Sequence, residues 1–240
     1  MAPMQTDAGH NPSPATAPLR HVLALIDYDG TVTTEECIAV TLQHFVGDAW
    51  LPLEEAVRRG EIGHAACLRQ QIGMLKAPRR EILATMVAAA VPRPGFARFV
   101  AALTAGGARV AVVSAGLRAA IAAVWRRDAL PAVDVYASEL LGNARSGYDI
   151  AYDPHFGDCP RCGPGGCKAG VLHRLRRDGD TVIAFGDGVS DFCLAREADS
   201  VFARDSLAVL CAAAGINYHD LSTYDAALAA VLKLACASPP

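Results

Sequence analysis

Nowhere in the 240-residue sequence is there an apolar run of roughly 18 residues, so no segment is built to cross a bilayer as a helix. Positive charge is not in excess either. The net charge is -3 and the pI about 6.1, which removes the basic field that a nucleic acid or an anionic membrane would ask of its main partner. The opening residues, MAPMQTDAGHNPSPATAPLR, lack a basic stretch followed by an apolar one, and a cytoplasmic location is the expectation. Aromatic residues are scarce at 6%, yet 52% of the chain is hydrophobic and only 20% charged, enough for one substantial core and a small accessory domain. No internal repeat stands out. These exclusions leave a compact protein acting on a small molecule, either a monomer or a homodimer.

What is present is an alternation. Residues 1–20, rich in Pro, Ala, Thr and Ser and without periodicity, read as a flexible leader. After them the apolar runs HVLALI, ARVAVVS, VDVYAS, TVIAFG and SVFA have strand length, and all but the last are separated by helical spacing or long loops. That pattern predicts an α/β fold: a Rossmann-like parallel sheet with helices on both faces, whose ligand sits beyond the carboxyl ends of the strands. Residues 35–91 break the pattern. They hold only helix-like stretches, EECIAVTLQHF, LPLEEAVRRG, GHAACLRQQIGML and RREILATMVAAA, and read as an all-helical cap inserted after strand 1 into a core of residues 21–34 and 92–236. A cap in that place lies over the strand ends and can act as a lid.

Chemistry concentrates at those ends. In HVLALIDYDGTVT, side chains alternate along the strand, so Asp27 and Asp29 face one pocket with Tyr28 opposite, and Gly30 lets the chain turn. Two carboxylates so placed push their pKa values apart or recruit a cation. The strand ARVAVVS ends on Ser114, followed by Ala115 and Gly116, which gives a hydroxyl and backbone amides for a phosphate or, alternatively, an ordinary cap for the helix starting near Leu117. Lys168, after a glycine-rich loop, supplies a point charge to the same anion or else a solvated lysine. TVIAFGDGVSD places Asp187 and Asp191 at a further strand end, where carboxylates suit Mg²⁺.

Eight cysteines in a reducing compartment are free thiols or metal ligands rather than a disulfide framework. Cys37, Cys67, Cys193, Cys211 and Cys236 lie among apolar neighbours and read as small core side chains. HFGDCPRCGPGGCK instead gathers Cys159, Cys162 and Cys167 with His155 close by. Cys-x2-Cys is half of a tetrahedral Zn²⁺ site, a third cysteine and the histidine supply the other half, and reduced thiols packed beside the pocket are the alternative.

With DYDGT, VVSAG, Lys168 and GDGVSD in this order, the sequence resembles the haloacid dehalogenase superfamily of phosphatases, over about residues 21–215. It looks most like the phosphoserine-phosphatase subfamily. Within that, CPRCGPGGCKAGVL and GDGVSDFC resemble the 2-hydroxy-3-keto-5-methylthiopentenyl-1-phosphate phosphatases and the phosphoethanolamine/phosphocholine phosphatases. The resemblance implies the strand order 5-4-1-2-3 and a phosphoric monoester hydrolase acting on a small phosphorylated metabolite. It further implies that Asp27 is the nucleophile and forms an aspartyl-phosphate, and that Asp29 is the general acid and base. Mg²⁺ would be held by Asp27, Asp29 (through its carbonyl) and Asp187 with Asp191 close by, and phosphate by Ser114, Ala115, Gly116 and Lys168. In phosphoserine phosphatases a glutamate and a cap arginine grip the amino acid. Glu36 stands at the first position, but Gln71 falls where the arginine would be, with Arg69 nearby, so all three are candidates for substrate contact, as are Glu35 and His64 in the cap. A non-catalytic small-molecule binder, or a zinc-loop interaction protein on a vestigial phosphatase fold, is the alternative from another class.

Overall fold

A computed structural model of the protein describes residues 19–237. The expected leader lies outside the described residues as far as position 18. Leu19, near its end, is no part of a flexible segment: it is fully buried, and its amide donates to the Gly106 carbonyl at 2.8 Å.

The five apolar runs are strands: β1 (Val22–Ile26), β2 (Arg109–Leu117), β3 (Asp134–Asn143), β7 (Thr181–Gly186) and β8 (Ser200–Ala203). They stand in the order β8-β7-β1-β2-β3, all parallel, so the implied order holds through the centre of the sheet. Two edges are added. The two-residue β9 (His219–Asp220) extends the β8 side, and β4 (Gly147–Ala151) folds back antiparallel on β3.

Side chains of β1 alternate between two cores. Val22, Ala24 and Ile26 pack with Phe96, Phe99 and Leu103 of α5 (Phe96–Ala105), Val124 of α6 (Arg118–Arg127) and Val231 of the helix Tyr224–Ala237. Leu23 and Leu25 face Val171 and Leu172 of α7 (Ala169–Leu175) and Leu194 of α8 (Phe192–Glu197). Burial on both faces is why β1 reads as an unbroken apolar run.

The helical insertion after β1 contains α1 (Cys37–Val46), α2 (Leu51–Arg58), α3 (His64–Met74) and α4 (Arg79–Ala89). An isolated bridge between Thr33 and Pro92 draws its entry and exit together. Its own core, Leu42, Leu68, Ile72, Ile82 and Met86, packs on Leu140 of β3 and Tyr148 and Ile150 of β4. The antiparallel ribbon is thus the floor on which the insertion rests. Between β4 and α7 lies a second, small sheet, the hairpin of β5 (Gly157–Cys159) and β6 (Gly163–Cys167). Among the described residues no helix is long and apolar enough to cross a membrane.

Candidate active site at the carboxyl ends of the strands

The register of the sheet brings the site together. Ile26, the last residue of β1, lies opposite Val112 of β2 and Phe185 of β7, so Asp27, Ser114 and Asp187 leave the sheet at one level. The Asp27 amide donates to the Phe185 carbonyl at 2.9 Å, which carries the pairing one residue past the strand. Asp27 and Asp29 both keep extended backbone, and Gly30 turns with φ of 71°. Tyr28 points the other way into the core, its ring 6.1 Å from that of Trp125. Gly30 is required for space as well as conformation: a Cβ there would fall 2.3 Å from Asp187 Oδ2.

Carboxylate oxygens of Asp27, Asp187 and Asp191 all lie within 4.8 Å of one another, and all three residues are buried. Lys168, 1% exposed at the amino end of α7, donates to Asp27 and, at 2.6 Å, to Asp191 Oδ1. The other oxygen of Asp191 accepts the amides of Gly188 at 3.1 Å and Asp187 at 3.3 Å. Thr31 donates its hydroxyl to Asp187 Oδ1 at 2.8 Å. Burial, and then the charge of Asp191, push the Asp187 carboxyl up to about 6. Burial also raises Asp27, with Asp191 adding to it and Lys168 opposing. Burial opposes the charged form of Lys168, but Asp191 and Asp27 outweigh it and hold the ammonium above its ordinary range. Three carboxylates therefore face a single buried ammonium.

Asp29 has different surroundings. Its Oδ1 accepts the Cys37 amide at 2.9 Å, at the start of α1, and its Oδ2 sits beside Gly116, where a Cβ would come within 3.1 Å. Burial raises its pKa, against the hydrogen bonds from Cys37. The carboxylate of Asp29 is thus outside the cluster of the other three. Ser114 is buried and caps no helix; its hydroxyl oxygen accepts the Gly116 amide at 3.0 Å.

The residues expected to touch substrate divide. Glu36 lines a cleft of about 410 Å³ with Gly30, Arg93 and Asp187. Solvent reaches it, yet the cleft walls, followed by the charges of Asp187 and Asp29, raise its carboxyl to about 7. Glu35 lines the same cleft. His64 lies within the field of Lys168 and Asp191, with burial the first cause of its lowered pKa. Arg69 and Gln71 do not offer themselves to that cleft. Arg69 pairs with Asp149 at 2.9 Å and the Ile150 carbonyl, securing α3 to β4, and Gln71 is buried with its amide on Glu54 Oε1 at 2.6 Å. Nor does His155 join the cysteines: its Nδ1 is 2.9 Å from Asp153 Oδ1 and its ring lies against Tyr136. Cys193 takes that place instead, its sulfur 3.8 Å from Cys159 and 3.7 Å from Cys162. Cys37, Cys67 and Cys211 are buried as expected. The side chain of Cys236 lies outside the described residues. The sequence alone assigns no role to Thr31, which closes DYDGT, or to Arg93, and Cys193, expected there as a small core side chain, is instead half-buried and beside the other sulfurs. Arg93, which grips the Gly30 carbonyl with Nε at 3.1 Å and Nη2 at 2.9 Å, lies 63 residues away in the chain and outside any short motif.

The fold is of the α/β class, a mainly parallel sheet with a helical insertion behind its first strand and an acid cluster at its strand ends. Within that class the chain belongs to the haloacid dehalogenase-like hydrolases, whose family profile matches residues 24–196. It is 32% identical over 206 residues to a 2-hydroxy-3-keto-5-methylthiopentenyl-1-phosphate phosphatase of Exiguobacterium sibiricum, covering 83% of this chain and 91% of that one. A protein of the same name from another Exiguobacterium strain is 29% identical over 215 residues, covering 85% and 96%. Among solved structures, a phospho-aspartyl intermediate analogue of phosphoserine phosphatase superposes with a TM-score of 0.63 at 19% identity, covering 85% of this chain and 96% of that one. The phosphoserine phosphatase of T. onnurineus gives 0.63 at 17% identity, covering 93% and 98%. The fold is theirs, and the chain is a phosphoric monoester hydrolase of the haloacid dehalogenase type.

Proposed function

We propose that the protein hydrolyses the phosphate monoester of a small organic metabolite in a Mg²⁺-dependent reaction that passes the phosphoryl group through Asp27. The carrying observation is that two carboxylates one residue apart have been given different partners, Asp27 the ammonium of Lys168 and Asp29 a backbone amide. An ionised Asp27 attacks phosphorus in line with the ester oxygen, that P–O bond breaks, and an aspartyl-phosphate forms. Asp29, whose raised pKa favours the protonated form, gives its proton to the departing oxygen. It then takes one from the water that attacks the aspartyl-phosphate, releasing inorganic phosphate and restoring Asp27. Ser114, the amides of Ala115 and Gly116 and the ammonium of Lys168 hold the remaining phosphate oxygens.

The acid cluster fits a magnesium ion. Its donors are hard oxygens in close array, and one ammonium does not balance three carboxylates. Because Asp191 is engaged by Lys168 and two amides, Asp27 and Asp187 with the Asp29 carbonyl would hold the ion, while Asp191 positions Lys168. When bound, the ion offsets the repulsion between the nucleophile and a dianionic phosphate.

For substrate, the names of the relatives put 2-hydroxy-3-keto-5-methylthiopentenyl-1-phosphate first, followed by other small phosphates such as phosphoethanolamine. Phosphoserine is disfavoured, since Arg69 and Gln71 are spent on Asp149 and Glu54 and neither is free to grip a carboxylate. Release of inorganic phosphate from a panel of such esters, with and without Mg²⁺, tests the reading. Asp27→Asn should keep the fold and lose turnover, because an amide is a far poorer nucleophile and metal ligand. Activity retained in that variant rejects the covalent route.

A further inference from the structure

The four sulfurs of Cys159, Cys162, Cys167 and Cys193 lie within 4.8 Å of one another, although Cys193 is 34 residues from Cys159 and 31 from Cys162 in the chain and stands on a different element from all three. The two closest recorded separations are 3.7 and 3.8 Å. Four thiolates at about 2.3 Å from a tetrahedral zinc ion stand about 3.8 Å apart, whereas a disulfide would hold two sulfurs at about 2.05 Å. We infer that these cysteines form a closed Zn²⁺ site of four thiolates, structural rather than catalytic, which joins the loop leading to Lys168 to α8, the helix that begins directly after Asp191.

The local backbone is shaped for it. Cys159 and Cys162 flank the turn of the β5–β6 hairpin, and the Cys162 amide donates to the Cys159 sulfur at 3.2 Å, the outer bond that a metal-bound thiolate accepts. The hairpin has little apolar packing of its own. Its strands read Gly-Asp-Cys and Gly-Pro-Gly-Gly-Cys, and among the described residues its apolar cluster consists of Cys162, Cys167 and Ala169 with Cys159 and Cys193 beside them. A two-stranded hairpin of this size is marginal in water without a staple. Closed coordination fits the burial: Cys162 and Cys167 are buried, and Cys159 and Cys193 partly so. With four sulfurs no position is left for water or substrate, which separates this site from the oxygen cluster at the strand ends.

The ligands sit where they bear on the acid site. Cys167 precedes Lys168 directly, and Cys193 follows Asp191 by two residues; Lys168 and Asp191 are themselves paired at 2.6 Å. On its other side the hairpin meets the helical insertion. The Cys162 carbonyl accepts the Ala65 amide at 2.9 Å, and a Cβ on Gly63 would come within 2.7 Å of that oxygen. Arg161, between two of the ligands, lies 4.5 Å over the ring of Phe192. One ion would therefore fix three parts at once: the lysine loop, α8 and the start of α3.

The test needs no substrate. Full-length protein purified without chelator under reducing conditions should carry about one zinc per chain by elemental analysis. Protein stripped of metal and given Co²⁺ should develop intense thiolate-to-cobalt charge-transfer absorption and tetrahedral ligand-field bands. Cys193→Ser and Cys162→Ser should drop the bound metal at least tenfold, while His155→Ala keeps it. If the serine variants fail to fold, the cobalt spectrum of the wild-type chain decides. Folded wild-type protein that takes up neither ion, that isolates with these cysteines as disulfides, or that loses metal in His155→Ala but not in Cys193→Ser, overturns the assignment. None of these outcomes depends on whether Asp27 is a nucleophile.

Discussion

At the scale of the residue, Asp27 and Asp29 differ by what surrounds them, and that makes their roles separable. Asp29→Asn should lower kcat on an ester with a poor leaving group by on the order of 10²- to 10⁴-fold, the share that a positioned acid and base supplies, and by much less on a good leaving group. A loss below tenfold on both would mean that another group moves the proton. The raised pKa values also carry a sign for stability. Asp187, at about 6, binds protons more tightly in the folded chain than unfolded, and Asp27 and Asp29 are raised in the same sense, so these buried carboxyls withdraw stability from the metal-free protein as pH rises from about 4 through about 6, with the lowered His64 opposing them. The expected fall in Tm in the presence of EDTA is on the order of 5 °C. Saturating Mg²⁺ should abolish it, because the cation favours the ionised carboxylates. A Tm that climbs across that window without metal contradicts the acid cluster as described. Asp27, Ser114, Lys168 and Asp187 were readable because each closes or follows a strand-like or glycine-rich run. Cys193 was not, because its immediate neighbours, Phe192 and Leu194, are apolar, and only the fold carries it to the other cysteines.

At the scale of the element, the ribbon of β3 and β4 decides how the insertion sits. Ile150 is 1% exposed and belongs to the core that joins this ribbon to α3 and α4. Ile150→Ala should cost about 2–4 kcal/mol in urea unfolding, the usual loss for a buried isoleucine, and should raise KM more than it lowers kcat, because the proposed nucleophile, Asp27, is on another element. An unchanged KM would show that the insertion does not take its position from this floor. The parallel strands and all four helices of the insertion could be placed from periodicity, since burial on two faces and amphipathic helices leave long signals. β4, β5 and β6 could not. They are five residues or fewer, two of them are dominated by glycine and cysteine, and their pairing is fixed by contacts rather than by alternation. The strand order came from resemblance and not from spacing; what spacing missed were the added edges.

At the scale of the whole molecule, the proposed function places selectivity at the junction of insertion and core. Arg69→Ala removes a half-exposed ion pair with Asp149, worth roughly 1 kcal/mol or less, and should leave kcat/KM within about threefold. A hundredfold loss would return Arg69 to the substrate. By the same logic phosphoserine should fall at least tenfold below the best ester of the panel in kcat/KM, measured by phosphate release; the opposite ranking would show that a carboxylate is gripped by some other cation, with Arg93 the first to examine. The topology also has a bearing on biosynthesis. β1 occupies the middle of the sheet, yet its flanking partners begin at Arg109 and Thr181, and the contact between Asp27 and Lys168 spans 141 residues. A chain emerging from the ribosome therefore holds Val22–Ile26, apolar throughout, with one edge unpaired until β2 has been made and the other until β7, some 155 residues after β1, has followed. During that interval this short segment is open to association with other nascent chains and to chaperone capture.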